Sequence, residues 1–177
     1  MDGEIRSFIS IDIPEEVRKE ISGIQEKLPE FVGKKTELEN LHLTLKFLGG
    51  IDDDKLKKVR EKLKEISFNK FNVEIDLIGI FSETFIRIIW LHLTDCDKLQ
   101  KEIDNALIGL FDKEKRFMSH LTIARVKYIE NKKEFLKKLD KIKIPKISFA
   151  VDNFKLKKST LIPKGPIYDD IEIYTAR

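Results

Sequence analysis

All three histidines of this chain are followed by leucine and threonine: His42-Leu43-Thr44, His92-Leu93-Thr94 and His120-Leu121-Thr122. An extended strand turns successive side chains to opposite faces, so each tripeptide sets an imidazole and a hydroxyl side by side over an apolar floor. The imidazole, with an unperturbed pKa of ~6.5, can hold or accept a proton near neutral pH. The hydroxyl can donate to an anionic oxygen. By simple alternation Lys46 joins His42 and Thr44 on one face of the stretch Asn40–Phe47, as a further candidate anion contact.

Two such strands facing one substrate could do what one cannot. If His42 and His120 meet across a cleft, a protonated ring delivers a proton to a leaving oxygen while a neutral ring activates a nucleophile on the other side. In-line displacement at phosphorus needs that arrangement. Thr44 and Thr122 would then donate to the non-bridging oxygens, where charge accumulates. The residues alone do not say which ring is acid and which is base, because a twofold-related pair is chemically symmetric. A single His beside a Thr on a strand is ordinarily a packed or solvated residue. Two copies at equivalent places of an internal repeat argue for chemistry instead.

The elements that would position these residues are legible in the hydrophobic periodicity. Residues 4–13 alternate as a strand. Pro14 then opens a helix with Glu15 and Glu16 near its positive end and Val17, Ile21, Ile24 and Leu28 on one stripe. A loop over 31–39 leads to the His42 strand, which Gly49-Gly50 ends. Asp52-Asp53-Asp54 reads as the cap of a helix carrying Leu56, Val59, Leu63 and Ile66, rather than as a metal site. A strand follows over 70–81. The pattern then starts again: a strand from Phe85 to Leu93, a helix marked by Leu99, Ile103, Leu107 and Leu110, and a strand from Phe117 to Val126. A helix over 131–141 and a strand from Ile147 running on through Leu156 complete it. Turn signals at 157–160 and 163–166 surround a last strand from Ile167 to Thr175.

The order β-α-β-α-β therefore occurs twice. His42 answers His120, 78 residues on, and Val73 answers Phe149, 76 residues on. The expectation is a single duplicated α+β domain, with lobe 1 at about 4–81, lobe 2 at about 85–158 and closing strands over 159–177. Each lobe is expected to be an antiparallel sheet with helices outside, the active-site cleft lying between lobes. In this register His92 falls where the first lobe has Asp12, at a strand end. It is read as structural, with Thr94 capping the helix that begins near Asp95.

Composition narrows the classes. The 177 residues are 41% hydrophobic and 37% charged, as in a soluble globular domain with a charged surface. The 34 basic and 31 acidic residues leave a formal charge of +3, which does not indicate a polybasic coat, although local basic patches stay open. The single cysteine, Cys96, excludes an intramolecular disulfide. The run from Met1 to Arg6 lacks the features of a signal peptide, and the longest apolar run, Ile86–Leu93, is too short to span a membrane. A cytoplasmic location is expected. No Gly-rich phosphate loop, metal-spaced cluster or serine-nucleophile signature is present.

Several blocks resemble the 2H phosphoesterase superfamily, and within it the RNA 2′,3′-cyclic phosphodiesterases also called 2′-5′ RNA ligases, or LigT-like proteins. They are Arg6–Pro14, Glu39–Gly49 and Arg116–Arg125, with Gly79-Ile80-Phe81, Ile89-Trp90, Ser159-Thr160-Leu161 and Gly165–Tyr168 in order between and after them. The resemblance implies hydrolysis of a 2′,3′-cyclic phosphate at an RNA end to a 2′-phosphomonoester, with no metal or other cofactor. It makes His42 the proton donor, His120 the proton acceptor, and Thr44, Thr122 and Arg125 the phosphate-binding residues. Arg125 falls on the wrong face by alternation, so this role requires a bulge that re-aims it. Met118-Ser119 depart from the family's usual residues before the second motif. Phe47, Phe117 and Tyr168 read chiefly as core packing, with stacking on a base as the second reading. The implied partners are RNA ends or nucleotides with a cyclic phosphate, including tRNA fragments, and a monomer with no membrane contact is expected. Two other readings remain: a ligase that joins such an end to a 5′-hydroxyl, and a non-catalytic RNA- or nucleotide-binding module.

Overall fold

The computed structural model describes residues 3–177, so the leader-peptide reading of the N-terminus lies in part, at Met1 and Asp2, outside the described residues. The first half of the chain gives β1 (Ile5–Asp12), α1 (Glu15–Glu26), β2 (Val32–Lys35), β3 (His42–Ile51), α2 (Asp53–Lys64) and β4 (Phe71–Ile80). The second gives β5 (Ile88–Leu93), α3 (Asp97–Ala106), β6 (His120–Tyr128), α4 (Lys132–Leu139), β7 (Ile147–Val151), β8 (Asn153–Ile162) and β9 (Gly165–Thr175). The fold is α+β: a curled antiparallel sheet with four helices, in two lobes.

Local chemistry explains most of these elements. Ile9, Ile11 and Ile13 and the α1 residues Val17, Ile21 and Ile24 are all buried in one core, where the two periodicities meet. Asp52 caps α2, its side chain accepting from the Lys55 N–H at 2.7 Å. Asn131 does the same for α4 through the Glu134 N–H at 3.0 Å. No helix among the described residues is long and apolar enough to cross a membrane.

The strands run in the order β7-β4-β5-β6-β3-β1-β8-β9, with β2 paired to β6 off this path. The order β4-β5-β6 on one side is matched by β8-β1-β3 on the other, which is the twofold relation of the repeat. It is reached by exchange. β4, from the first half of the chain, pairs with β5 and β7, while β8, from the second half, pairs with β1. Val73 and Phe149 are therefore not equivalents, as their spacing suggested, but directly opposed partners in β4 and β7.

Five local expectations are corrected. The turn expected at 157–160 is absent, because those residues lie inside β8 and pair with β9. The segment read as a strand from Ile147 through Leu156 is two strands that break at Asp152, one joining each lobe. The change of parity from Ile147, Phe149 and Val151 to Phe154 and Leu156 was the sign of it. The loop expected over 31–39 contains β2, which is exposed at all four residues and so carries no hydrophobic pattern. Thr94 does not cap α3. Its hydroxyl accepts from the Glu74 N–H at 3.0 Å, and Asp95, at φ +62°, turns the chain before the helix starts. Leu107 and Leu110 lie past the end of α3, in turns that still bury Leu107.

Candidate active site

β3 and β6 pair through one opposed couple, Leu43 and Leu121, both fully buried. Counting outward from that couple in an antiparallel register sets His42 across from Thr122 and Thr44 across from His120. Opposed residues share a face, so all four polar side chains stand on the side of the sheet away from the leucines. Neighbouring strands repeat the relation: Asp12 lies opposite His42 and His92 opposite His120.

Both rings are held in the same way. His42 Nδ1 lies 2.7 Å from the Asn40 carbonyl and His120 Nδ1 lies 2.8 Å from the Met118 carbonyl, in each case two residues back. A carbonyl oxygen only accepts, so each Nδ1 carries the proton and each Nε2 is left for a substrate. Aromatic rings brace them. Phe8 and Tyr168 stand 5.0 Å from His42, and Phe81 stands edge-on 5.0 Å from His120. Burial in this packing pushes the His42 pKa down from its ordinary value. The bond to Asn40 and the Asp12 carboxylate oppose that shift, while Lys157 and Arg125 add to it.

Beyond each threonine the strand carries a matching irregularity. Ser10 and Ile9 oppose Thr44 and Lys46, leaving Leu45 as the extra residue; Trp90 and Ile89 oppose Thr122 and Ala124, leaving Ile123 as the extra one. The two strands accordingly share one burial sequence, and the bulges turn Phe47 and Arg125 onto the cleft face. The re-aiming that Arg125 required is present. The same bulge removes Lys46 from the site, against simple alternation. Its ammonium is buried under the sheet, 2.6 Å from Asp104 Oδ1 and 2.7 Å from the Asp112 carbonyl. Burial alone would raise the Asp104 pKa, but bonds from Lys46, Gln100 and the Glu114 N–H hold it below the usual carboxylate value. Phe47, expected as packing, is 69% exposed, whereas Phe117 packs against the core as expected.

The resulting cleft has a volume of about 370 Å³. His42, Thr44, His120, Thr122 and Arg125 all line it, together with Phe47 and Tyr168. Sequence reasoning missed its outer wall, which is made by Lys34 and Lys35 of β2 and by the β8–β9 turn from Pro163 to Pro166. The turn signal at 163–166 was legible, but not where that turn would lie. His92 does not line the cleft and is engaged 2.7 Å from Asp76 Oδ1. Among the described residues no group of three or more His, Cys, Asp or Glu side chains is placed to hold a metal ion.

The chain belongs to the family described as LigT like Phosphoesterase, whose model matches residues 11–90 and 94–168. It is an enzyme of that class. Over 173 residues it is 40% identical to the RNA 2′,3′-cyclic phosphodiesterase of Methanocaldococcus jannaschii, covering 95% of this chain and 99% of that protein. The identity to the RNA 2′,3′-cyclic phosphodiesterase of Thermotoga maritima is also 40%, over 93% and 91% of the two chains. Among solved structures, a protein of Thermus thermophilus superposes with a TM-score of 0.82 at 25% identity over 98% of each chain. Escherichia coli LigT complexed with 3′-AMP shares the fold, with a TM-score of 0.80 at 24% identity over 98% of each chain.

Two measurements check this geometry. In an NMR titration His42 should lose its proton below the ordinary ~6.5, and Tyr168→Ala, by admitting water, should move the midpoint upward. A midpoint unmoved by that substitution would refute burial as the cause. In urea denaturation Lys46→Ala should destabilise the protein by ~3–5 kcal/mol by leaving Asp104 buried without its cation, and Lys46→Met with Asp104→Leu should recover most of the loss.

Proposed function

We propose that this enzyme opens 2′,3′-cyclic phosphate ends of RNA to 2′-phosphomonoesters without a metal ion, with His42 as general acid and His120 as general base. The observation that carries the reading is the pair of imidazoles held by equivalent Nδ1–H bonds on either side of one cleft, each with a threonine beside it. Diagonal neighbours across an antiparallel pair stand ~7–8 Å apart, which leaves room for a phosphorus centre between two rings. The names carried by the relatives agree with the substrate class.

The steps balance as follows. Water attacks phosphorus and gives a proton to His120 Nε2, while the P–O3′ bond breaks and O3′ takes the proton from His42 Nε2. The net result is addition of one water, and proton exchange with solvent resets the two rings. Thr44 and Thr122 donate to the non-bridging oxygens as charge builds, and the Arg125 guanidinium pairs with the same anion. Phe47 offers an exposed flat face on the cleft wall for the terminal base. The RNA fragments served include tRNA halves that end in a cyclic phosphate.

The sign of the pH dependence follows from His42. The reactive state has one proton on the imidazole pair, and it is lost on the acid side only when both rings are protonated. Because burial makes His42 harder to protonate, kcat/KM should hold to a pH below the ordinary imidazole value of ~6.5 before falling.

The test is turnover of an RNA with a 2′,3′-cyclic end in the presence of chelator, with and without a 5′-hydroxyl acceptor. The expected product is the 2′-phosphate. His42→Ala and His120→Ala should each remove roughly 10²-fold or more of kcat, and Thr44→Val and Thr122→Val roughly 10²-fold. His92→Ala should retain most activity. A cyclic ester with sulfur at the 3′ bridging position needs no proton on its leaving group, so it should rescue His42→Ala and not His120→Ala. Rescue of the other variant would reverse the two roles.

A further inference from the structure

We infer that the rim formed by β2 and the β8–β9 turn binds phosphates upstream of the reacting end, so that this cleft is built for an RNA strand rather than a free cyclic nucleotide. The inference rests on the function proposed above and goes beyond it in naming where the rest of the chain lies.

The first argument is where the charge sits. The cleft is lined by four cations, Lys34, Lys35, Arg125 and Lys164, and by one acid, Glu37. Taking these five from the 34 basic and 31 acidic residues leaves 30 of each. The whole formal charge of the protein, +3, is therefore gathered at one cleft, and the remaining surface balances. A cyclic phosphate diester carries a single negative charge, which Arg125 alone matches. With Glu37 offsetting one of the three rim lysines, two positive charges exceed what that group needs.

The second argument is how those lysines are held. β2 exposes all four of its residues and contributes nothing to the apolar core. Its backbone pairs with β6, setting Lys34 opposite Arg125 and Lys35 opposite Ala124. The approach is close: a Cβ at Gly33 would collide with the Arg125 carbonyl oxygen, so glycine is required there. A strand with no core face has only its side chains to present. Across the cleft mouth, the Lys34 ammonium donates to the Lys164 carbonyl at 3.1 Å and is paired with Glu37. That bond ties the β8–β9 turn to β2 and brings Lys164 to the same edge. Binding here needs no sequence readout, since ammonium groups recognise phosphates as point charges.

The test compares an oligoribonucleotide ending in a 2′,3′-cyclic phosphate with a nucleoside 2′,3′-cyclic phosphate over a salt series. It uses wild type and the triple variant Lys34→Gln, Lys35→Gln, Lys164→Gln. Each single-strand phosphate contact contributes about −0.7 to the slope of log affinity on log salt, so two contacts steepen the RNA slope by about 1.4. Between 50 and 200 mM salt kcat/KM for RNA should then fall ~7-fold more than for the nucleotide. The triple variant should abolish that difference and lower the ratio of RNA to nucleotide kcat/KM. Equal salt slopes in wild type, or an equal loss on both substrates in the variant, would overturn the inference. Fluorescence anisotropy with a labelled oligoribonucleotide ending in a 2′-phosphate reads the rim without turnover. A lysine-dependent slope there with no hydrolysis of either substrate would remove the proposed function and leave the rim standing. A slope that does not depend on the lysines would remove the rim alone.

Discussion

The two lobes touch along the site through one opposed couple, Leu43 and Leu121, and the geometry of the cleft depends on it. A longer ladder between β3 and β6 would flatten the seam and leave no concavity. With one couple, the paired ladder ends beside the site, and the polar residues on either side face a common space. Because the couple is fully buried, it also fixes parity. A slip of one residue would turn both imidazoles from the cleft into the core, at the cost of burying them.

The paired bulges are the second determinant. An unbroken strand would have put Lys46 in the cleft and kept Phe47 and Arg125 out of it. The extra residue at Leu45 and at Ile123 reverses this on both sides of the seam. The two lobes then use the gained position differently, one for an aromatic face and the other for a guanidinium. The buried Lys46–Asp104 pair holds the first bulge in place by tying β3 to α3 and to the segment around Glu114. Near-symmetry in the backbone thus carries asymmetry in the side chains, as the reaction proposed above would require.

Much of this was legible in the sequence. The repeated His-x-Thr, the alternation of β3 and β6 and the helix stripes all record local periodicity, and local periodicity survives into the fold. What was not legible depends on distant partners. Lys46 shows nothing in its own neighbourhood to say that Asp104 waits 58 residues away. β2 is defined by its pairing with β6, and its exposed residues leave no apolar trace. The exchange of β4 and β8 was hidden because the choice of neighbour is non-local, even where, as in β4, the strand itself reads correctly. Asp152 did mark a break of parity, and that signal was available.

That exchange has a bearing on biosynthesis. β1 cannot gain its outer neighbour until β8 is made, with Ser7 opposite Lys158, and the ring over His42 comes from Tyr168 in the last strand. Contacts of such long sequence separation are slow to form, because a large loop must close before they stabilise anything. A nascent chain that has already exposed both histidine motifs therefore still lacks one wall of the cleft. Closure of the cleft waits on the β8–β9 hairpin, which follows both histidine motifs in the chain.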